Sequence, residues 1–336
     1  MKAIKFQQPR VVELVEIEKP VPGPDWARIR LRAAAICMTD FAVLEGTIAA
    51  RYPLVPGHEW SGVVDAVGSE ADHAWIGRRV IADNELTCLV CVYCRKGEWR
   101  RCLRYRQIGF QESGGYAEYL LVPVRNLYVI PDSVSFEQAA LLEPLSVALA
   151  VAAIAQPKVA STAVILGAGP IGLNCLVALK ASGAARILCL DLRPSRLDLA
   201  RSWGATAAFS NAGELAAAAQ LLHPEGTDIV IDATGNEDMI RLGTTLTRFG
   251  GAFVLAGYCE GKTIEIKPDN IHLRDLRVLG AGNVWGFTGS ALRCATDGMI
   301  RTDQMITHHY QLEDYKLAFS RDAVNQPNYI KGVFQM

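Results

Sequence analysis

The sequence predicts an α/β protein in which a β-rich domain is joined to a doubly wound domain with a parallel sheet. Three observations carry this: short β signals crowd residues 1 to about 146, strand and helix patterns alternate from about residue 162, and a Gly-x-Gly-x-x-Gly turn sits where the first strand of that alternation meets its helix. At 336 residues the chain is long for one domain, and with half its residues hydrophobic it has material for a large core.

The β-rich part opens at Met1-Lys2, and residues 2–6 read as a strand, not a signal sequence. Residues 11–15, 27–32 and 62–67 follow as further strands, the second with clean alternation, and Pro20, Pro22, Gly23 and Pro24 punctuate the gap between the first two. Many short strands with glycine and proline breaks point to a compact barrel or sandwich carrying loops. Cys37-Met38-Thr39-Asp40 closes one strand and opens a short helical pattern, and a glycine turn from Gly109 leads into another strand near Tyr119. Glu143-Pro144-Leu145-Ser146 precedes an apolar helix predicted over 147–155, with proline at its first turn, which we read as the hinge into the second domain.

In that domain the pattern predicts strands at 162–166, 186–190, 228–231 and 251–255, and helices at 170–182, 194–203 and 236–248. The alanine run 216–219 reads as helix. Beyond Gly282 the pattern changes, and Gly332-Val333-Phe334 reads as a strand returning to the first domain. The expected division is 1–146 with 284–336 as the first domain, including a lobe at 86–103, and 147–283 as the second.

The formal net charge of −1 argues against a sequence-independent grip on nucleic acid. The basic stretch Arg95 to Arg101 reads as a solvated loop. No apolar run reaches the length of a membrane span, and we expect a cytoplasmic protein. Nine cysteines agree with a reducing compartment, because four have metal spacing and the others are scattered singly.

Chemistry concentrates in three places. Cys37, His58, Glu59 and Glu143 offer a thiolate, an imidazole and two carboxylates, a donor set that suits a catalytic zinc holding three protein ligands and one open position. Cys88-x-x-Cys91-x-x-Cys94, then Cys102, has the spacing of a closed tetrahedral zinc site that staples a small lobe. That makes two zinc ions per chain. The third place is Gly167-Ala168-Gly169-Pro170-Ile171-Gly172, whose glycines allow a tight turn and close approach to a pyrophosphate, with Asp191 ending the next strand where it binds ribose hydroxyls. An acid there repels a 2′-phosphate, so the cofactor reads as NAD, with Arg193 and Arg196 close by in sequence.

With these motifs in order, and with Gly114-Gly115-Tyr116-Ala117-Glu118-Tyr119 and Glu143-Pro144-Leu145-Ser146-Val147 between them, the chain resembles the zinc-dependent medium-chain dehydrogenases over nearly its whole length. The Glu-Pro-Leu-Ser-Val segment looks like the polyol (sorbitol dehydrogenase) branch. The stretch from Tyr52 to Gly62 is also similar to cyclitol and aminocyclitol dehydrogenases. The resemblance implies a GroES-like catalytic domain plus a Rossmann domain, with substrate and nicotinamide meeting between them, and a homodimer or homotetramer. It also implies that Cys37 and His58 ligate zinc with Glu59 as third ligand, that Glu143 holds the fourth position's water or exchanges with Glu59, and that Thr39 takes the alcohol proton.

Three departures stand out. Met38 and Ala42 replace the usual glycine and histidine after the cysteine, which removes the familiar end of the proton relay. An arginine–tyrosine pair that helps hold polyols in sorbitol dehydrogenases falls near Asn283-Val284 here. Leu89 stands where the cysteine lobe usually has glycine. The expected activity is NAD-dependent oxidation of a secondary alcohol on a small polyhydroxylated substrate, linear or cyclic. The rivals are a threonine dehydrogenase-like oxidation, a zinc-free quinone reductase, which the ligands disfavour, and a nucleotide-binding protein without turnover. Of the remaining side chains, Asp232 reads as a strand-end turn residue, Trp60 and Trp285 as pocket or core, and His308-His309 as one buried and one exposed strand residue rather than a metal pair.

Overall fold

The structure is a computed structural model that describes residues 1–282 and 286–336. It divides into one unit of Met1–Glu143 with Trp285–Met336 and a second of Pro144–Val284.

In the first unit β1 (Lys2–Gln8) and β2 (Val11–Glu16) form an antiparallel hairpin. The main sheet is built on β3 (Trp26–Ala35), where Ala27, Ile29 and Leu31 are buried while Arg28, Arg30 and Arg32 face outward. That period of two is what a strand with one covered face requires. Arg28 spends its charge on Asp65 of β4 (Glu59–Val67), 2.7 Å away. The chain continues through β5 (Arg79–Ala82), a small hairpin of β6 (Glu85–Leu86) and β7 (Arg106–Gln107), β8 (Tyr119–Pro123) and β9 (Leu127–Val129).

In the second unit β10 (Thr162–Leu166), β11 (Arg186–Leu190), β12 (Ala207–Phe209), β13 (Thr227–Asp232), β14 (Thr247–Leu255) and β15 (Arg277–Gly280) make one parallel sheet in the order β12-β11-β10-β13-β14-β15. Counted from β10 that is 3-2-1-4-5-6, the doubly wound order whose switch point lies beside the first strand. The strand β10 is buried along its whole length, which explains its unbroken apolar run.

The chain then returns to the first unit as β16 (Ile306–Tyr310) and β17 (Lys331–Gln335), so its main sheet runs β16-β17-β3-β4-β5-β9 with β8 also on β3. An aromatic cluster of Phe6, Tyr116, Phe319 and Phe334, with centroids 5.2 to 6.1 Å apart in the contacting pairs, fills the core against this sheet.

Two helix boundaries differ from the sequence reading by two residues or more. The helix after the Glu-Pro segment is Leu142–Ala155, so Glu143 and Pro144 lie inside its first turn, where proline's missing N–H costs nothing. The helix expected to reach 248 is Glu237–Leu246, because Thr247 already pairs with Thr227 as the start of β14.

Candidate metal centres and nucleotide site

The pairing of Ala35 with Glu59 brings β3 and β4 to the same end of the sheet. Cys37 lies two residues past the one and His58 one before the other, so they emerge side by side. The ligand atoms of Cys37, His58 and Glu59 lie within 4.8 Å of one another, with His58 and Glu59 buried. Gly57 makes the approach to His58 at φ +97°, and a Cβ there would fall 2.8 Å from the Tyr116 ring. Only glycine meets both demands.

Three further side chains surround this group, and the sequence reading did not single out two of them, Asp40 and Lys331. Asp40 accepts the Cys37 N–H at 2.9 Å and the Tyr116 hydroxyl on Oδ2, while its Oδ1 faces His58 Nδ1 at 3.5 Å. The other imidazole nitrogen, Nε2, is therefore the one turned to Thr39, whose Oγ1 is 3.5 Å away. Thr39 sits at the second position of the helix Met38–Glu45, which is capped by Cys37, so its hydroxyl is not used as the cap. The third is Lys331 of β17, buried with Glu59: its Nζ donates to Oε1 at 2.7 Å and lies 2.6 Å from Oε2, which has no directed hydrogen bond. The register that sets Val333 against Ala35 puts Lys331 level with Cys37. An inward-facing lysine in a strand was the available signal for it, as was Asp40 three residues after the cysteine.

Electrostatics test the fit for a metal. Burial opposes a charged His58, yet Asp40 and Cys37 outweigh it and raise its pKa well above the usual value. Burial also opposes a charged Lys331, and Glu59 and Cys37 again prevail. A pocket that holds protons against burial is short of positive charge. A divalent cation supplies that charge, the free Oε2 lone pair of Glu59 supplies an oxygen donor, and sulfur with nitrogen and oxygen is a set zinc accepts. Glu143 is not one of the three converging residues. Its carboxyl is pushed up to about 7 by burial, with His58 opposing and Glu59 adding to the shift.

The sulfurs of Cys88, Cys91, Cys94 and Cys102 form a second group within 4.8 Å, and all nine cysteines are free thiols. Backbone N–H groups point at the sulfurs: Cys94 donates to Cys91, and Cys88 and Arg104 both donate to Cys102. The Cys94 N–H, with that of Leu103, pulls the Cys91 thiol down to about 6 against its desolvation. Four sulfurs, some stabilised as thiolate, fit a closed zinc site. Leu89 takes φ +59° there, the left-handed conformation that glycine adopts without cost.

In the second unit β10 ends at Gly167, with φ +96°, and Gly169 caps the helix Pro170–Ala181 with proline at its first turn. A Cβ on Gly172 would fall 1.8 Å from the Gly167 carbonyl oxygen, so helix and loop pack closely only with glycine. Ile171 lies in the first turn of that helix. Asp191 holds the loop: Oδ2 accepts the Ala168 N–H and Oδ1 the Arg193 N–H, each at 2.9 Å, with Arg196 Nη1 at 3.4 Å.

Residues 23–132 match the family model "Alcohol dehydrogenase GroES-like domain" and residues 170–288 match "Zinc-binding dehydrogenase". D-arabinitol dehydrogenase 1 of Uromyces fabae is 30% identical over 332 residues, covering 97% of this chain and 95% of that protein. The chain belongs to the zinc-dependent medium-chain dehydrogenases. It is also similar to the L-threonine 3-dehydrogenase of Bacillus subtilis (strain 168), 32% identical over 318 residues and 90% of each chain. Among solved structures, a zinc-binding dehydrogenase from Sinorhizobium meliloti 1021 bound to NADP superposes with a TM-score of 0.92 at 29% identity, covering 100% of this chain and 99% of that one. A medium-chain dehydrogenase of this kind is an enzyme that uses zinc and a nicotinamide cofactor to oxidise an alcohol.

The remaining sequence-marked residues are structural where they are described. Trp60 is buried and donates to Asn84 at 2.9 Å, and Asp232 accepts the N–H groups of Thr234 and Gly235 in a strand-end turn. His308 is half-buried against Tyr329 rather than fully buried, because β16 is the edge of its sheet, and His309 is exposed beside Glu137. Asn283, Val284 and Trp285 lie outside the described residues. Among the described residues no helix is long and apolar enough to cross a membrane.

Proposed function

We propose that this dehydrogenase oxidises a secondary alcohol on a small polyhydroxylated substrate, a polyol or cyclitol, to the ketone, with NAD as acceptor. The observation that carries the reading is the convergence of Cys37, His58 and Glu59 beside the Thr39 hydroxyl. When bound, zinc supplies the positive charge that makes a substrate hydroxyl acidic, and the nicotinamide supplies a hydride acceptor. Cys37, His58 and Glu59 hold the metal, Asp40 fixes the His58 ring, and Lys331 keeps Glu59 from swinging away. Thr39 Oγ1 receives the carbinol proton and passes it on. The usual histidine is absent at Ala42, so the proton goes on to water or to the ribose. Glu143 would hold a water beside the metal or replace Glu59 as its ligand. The four-cysteine site holds its lobe in shape and takes no part in turnover.

Asp191 supports NAD over NADP. Its carboxylate is already anchored by two N–H groups and cannot turn from a 2′-phosphate without losing both. On this reading residues 1–146 with 284–336 are the catalytic domain and 147–283 the nucleotide domain, in a cytoplasmic homodimer or homotetramer. A threonine dehydrogenase-like activity is the second reading, favoured by the 32% identity to such an enzyme. Zinc-loaded protein assayed for NAD reduction against sorbitol, myo-inositol and L-threonine separates the two. Turnover of threonine alone would overturn the proposal.

A further inference from the structure

The four-cysteine lobe carries a surface that its zinc site does not require. Leu89, Val90, Val92 and Leu103 are 49%, 53%, 54% and 71% exposed, and Trp99 is exposed on the same lobe. Each of the four is the chain neighbour of Cys88, Cys91 or Cys102, whose sulfurs converge. The Leu103 N–H also reaches the Cys91 sulfur, which brings Leu103 close to Val90 and Val92. Leu89 is unfavourable in two ways. Its φ of +59° is a conformation that glycine takes freely and an L side chain does not, and its apolar side chain stands half in water. Neither serves the sulfurs, because what Leu89 gives that site is an N–H to Cys94, and glycine has one too.

Cations share the stretch. From Cys88 to Arg106 the chain has six of them and one acid, Glu98, against a net charge of −1 for the whole protein. Glu98 pairs with Arg101, and Arg106 pairs with Glu112. Among the described residues Arg95, Lys96, Arg100 and Arg104 meet no carboxylate, and all four are exposed. What reads in the sequence as a solvated loop is a basic surface studded with apolar side chains. Such a patch on a folded unit marks an interaction site.

We infer that this lobe docks the enzyme on an anionic phospholipid surface, with Leu89, Val90, Val92 and Leu103 entering the headgroup boundary and the unpaired cations meeting lipid phosphates. The mixture of side chains decides among occupants. A nucleic acid would use the cations and leave Leu89 in water. The same lobe of a second copy would bring like charges together. A bilayer takes both sets at once, the apolar side chains below the phosphates and the guanidinium groups level with them. The docking does not depend on which alcohol the enzyme oxidises.

The test uses full-length, zinc-loaded protein and sedimentation with vesicles of phosphatidylcholine alone, or of phosphatidylcholine and phosphatidylglycerol in equal parts. The parent should sediment with the anionic vesicles and stay in solution with the neutral ones, and added salt should weaken the binding. Arg100→Gln together with Arg104→Gln should lower the partition coefficient about 30-fold, at about 5-fold for each charge near the surface. Leu89→Gly should lower it about 10-fold, the scale of withdrawing half a leucine side chain from the acyl boundary. Its thermal midpoint should be no lower than the parent's, because glycine relieves the left-handed backbone, and this separates lost docking from lost fold. A parent that stays in solution with anionic vesicles, or a Leu89→Gly protein that binds them as the parent does, overturns the inference. Binding to poly-L-glutamate as tight as to the vesicles would give the surface to an acidic soluble partner and overturn it. A smaller oligomer in Leu89→Gly, with no vesicle binding by the parent, would give it to a second copy and overturn it equally.

Discussion

Replacing Lys331 by Met tests whether the Glu59 carboxylate is held by a cation on each side. Lys331 and Glu59 have side chains only 4% and 1% exposed, with Nζ 2.6 Å from the carboxylate, so water cannot take over when the ammonium is lost. Breaking a buried pair by removing one partner costs about 3–5 kcal/mol, because the other charge stays behind unpaired. At about 2–4 °C per kcal/mol for a unit of this size, the midpoint of the first unit should fall by roughly 6–20 °C. That applies to protein stripped of its accessible metal. With zinc bound, the metal's charge offsets much of the orphaned carboxylate, so the variant should lose less and should gain more stability from zinc than the parent does. Glu59→Gln in the same chain should recover part of the metal-free loss. Thermal unfolding of the three proteins, with and without added zinc, reads all of this. Should metal-free Lys331→Met unfold at the parent's temperature, the pair is not the support described here.

Four other outcomes are expected. Thr39→Val keeps the shape of a residue whose hydroxyl is not the helix cap, and should lower turnover by about 10²-fold with zinc content and NAD affinity retained; an undiminished kcat would send the proton by way of Glu59 or Glu143. Asp191→Ser should raise the use of NADP relative to NAD, as ratios of kcat/KM will show, and equal use of both by the parent would refute the role given to that acid. Elemental analysis of freshly purified active protein should find two zinc ions per chain, one removed readily by chelator with loss of activity and one retained until the fold weakens; a single zinc in active protein contradicts the four-sulfur site. Asp228 is opposed by burial but held below the usual carboxylate pKa by the Thr162 N–H and hydroxyl and by Arg248. A depressed pKa stabilises the fold above the unfolded value near about 4 and loses that contribution as pH falls through the folded value. Asp228→Asn should therefore flatten the acid side of the stability profile of the second unit.

What was legible in the sequence was whatever a short stretch decides by itself. The strands at 162–166 and 186–190 have the bounds the apolar runs gave, because each run lies in the buried middle of a parallel sheet and stops where the glycine turn or Asp191 begins. The donors Cys37, His58 and Glu59 were visible as residue types. What joins them was not: Lys331 reaches Glu59 across 272 positions, through a register that no local pattern contains. Thr247 was read as helix because nothing local says that it pairs with Thr227.

The place of β17 in the first sheet has a consequence for how the protein is made. Residues 37 to 59 leave the ribosome early, but the ammonium that balances Glu59 arrives only after all of the second unit has been synthesised. At roughly 5–20 residues per second, some 270 residues separate the two events by about 14–54 s. During that interval Asp40 can already sit beside Cys37 and His58, but the Glu59 carboxylate has no lysine beside it. A metal ion bound in that interval would balance the carboxylate before the lysine arrives.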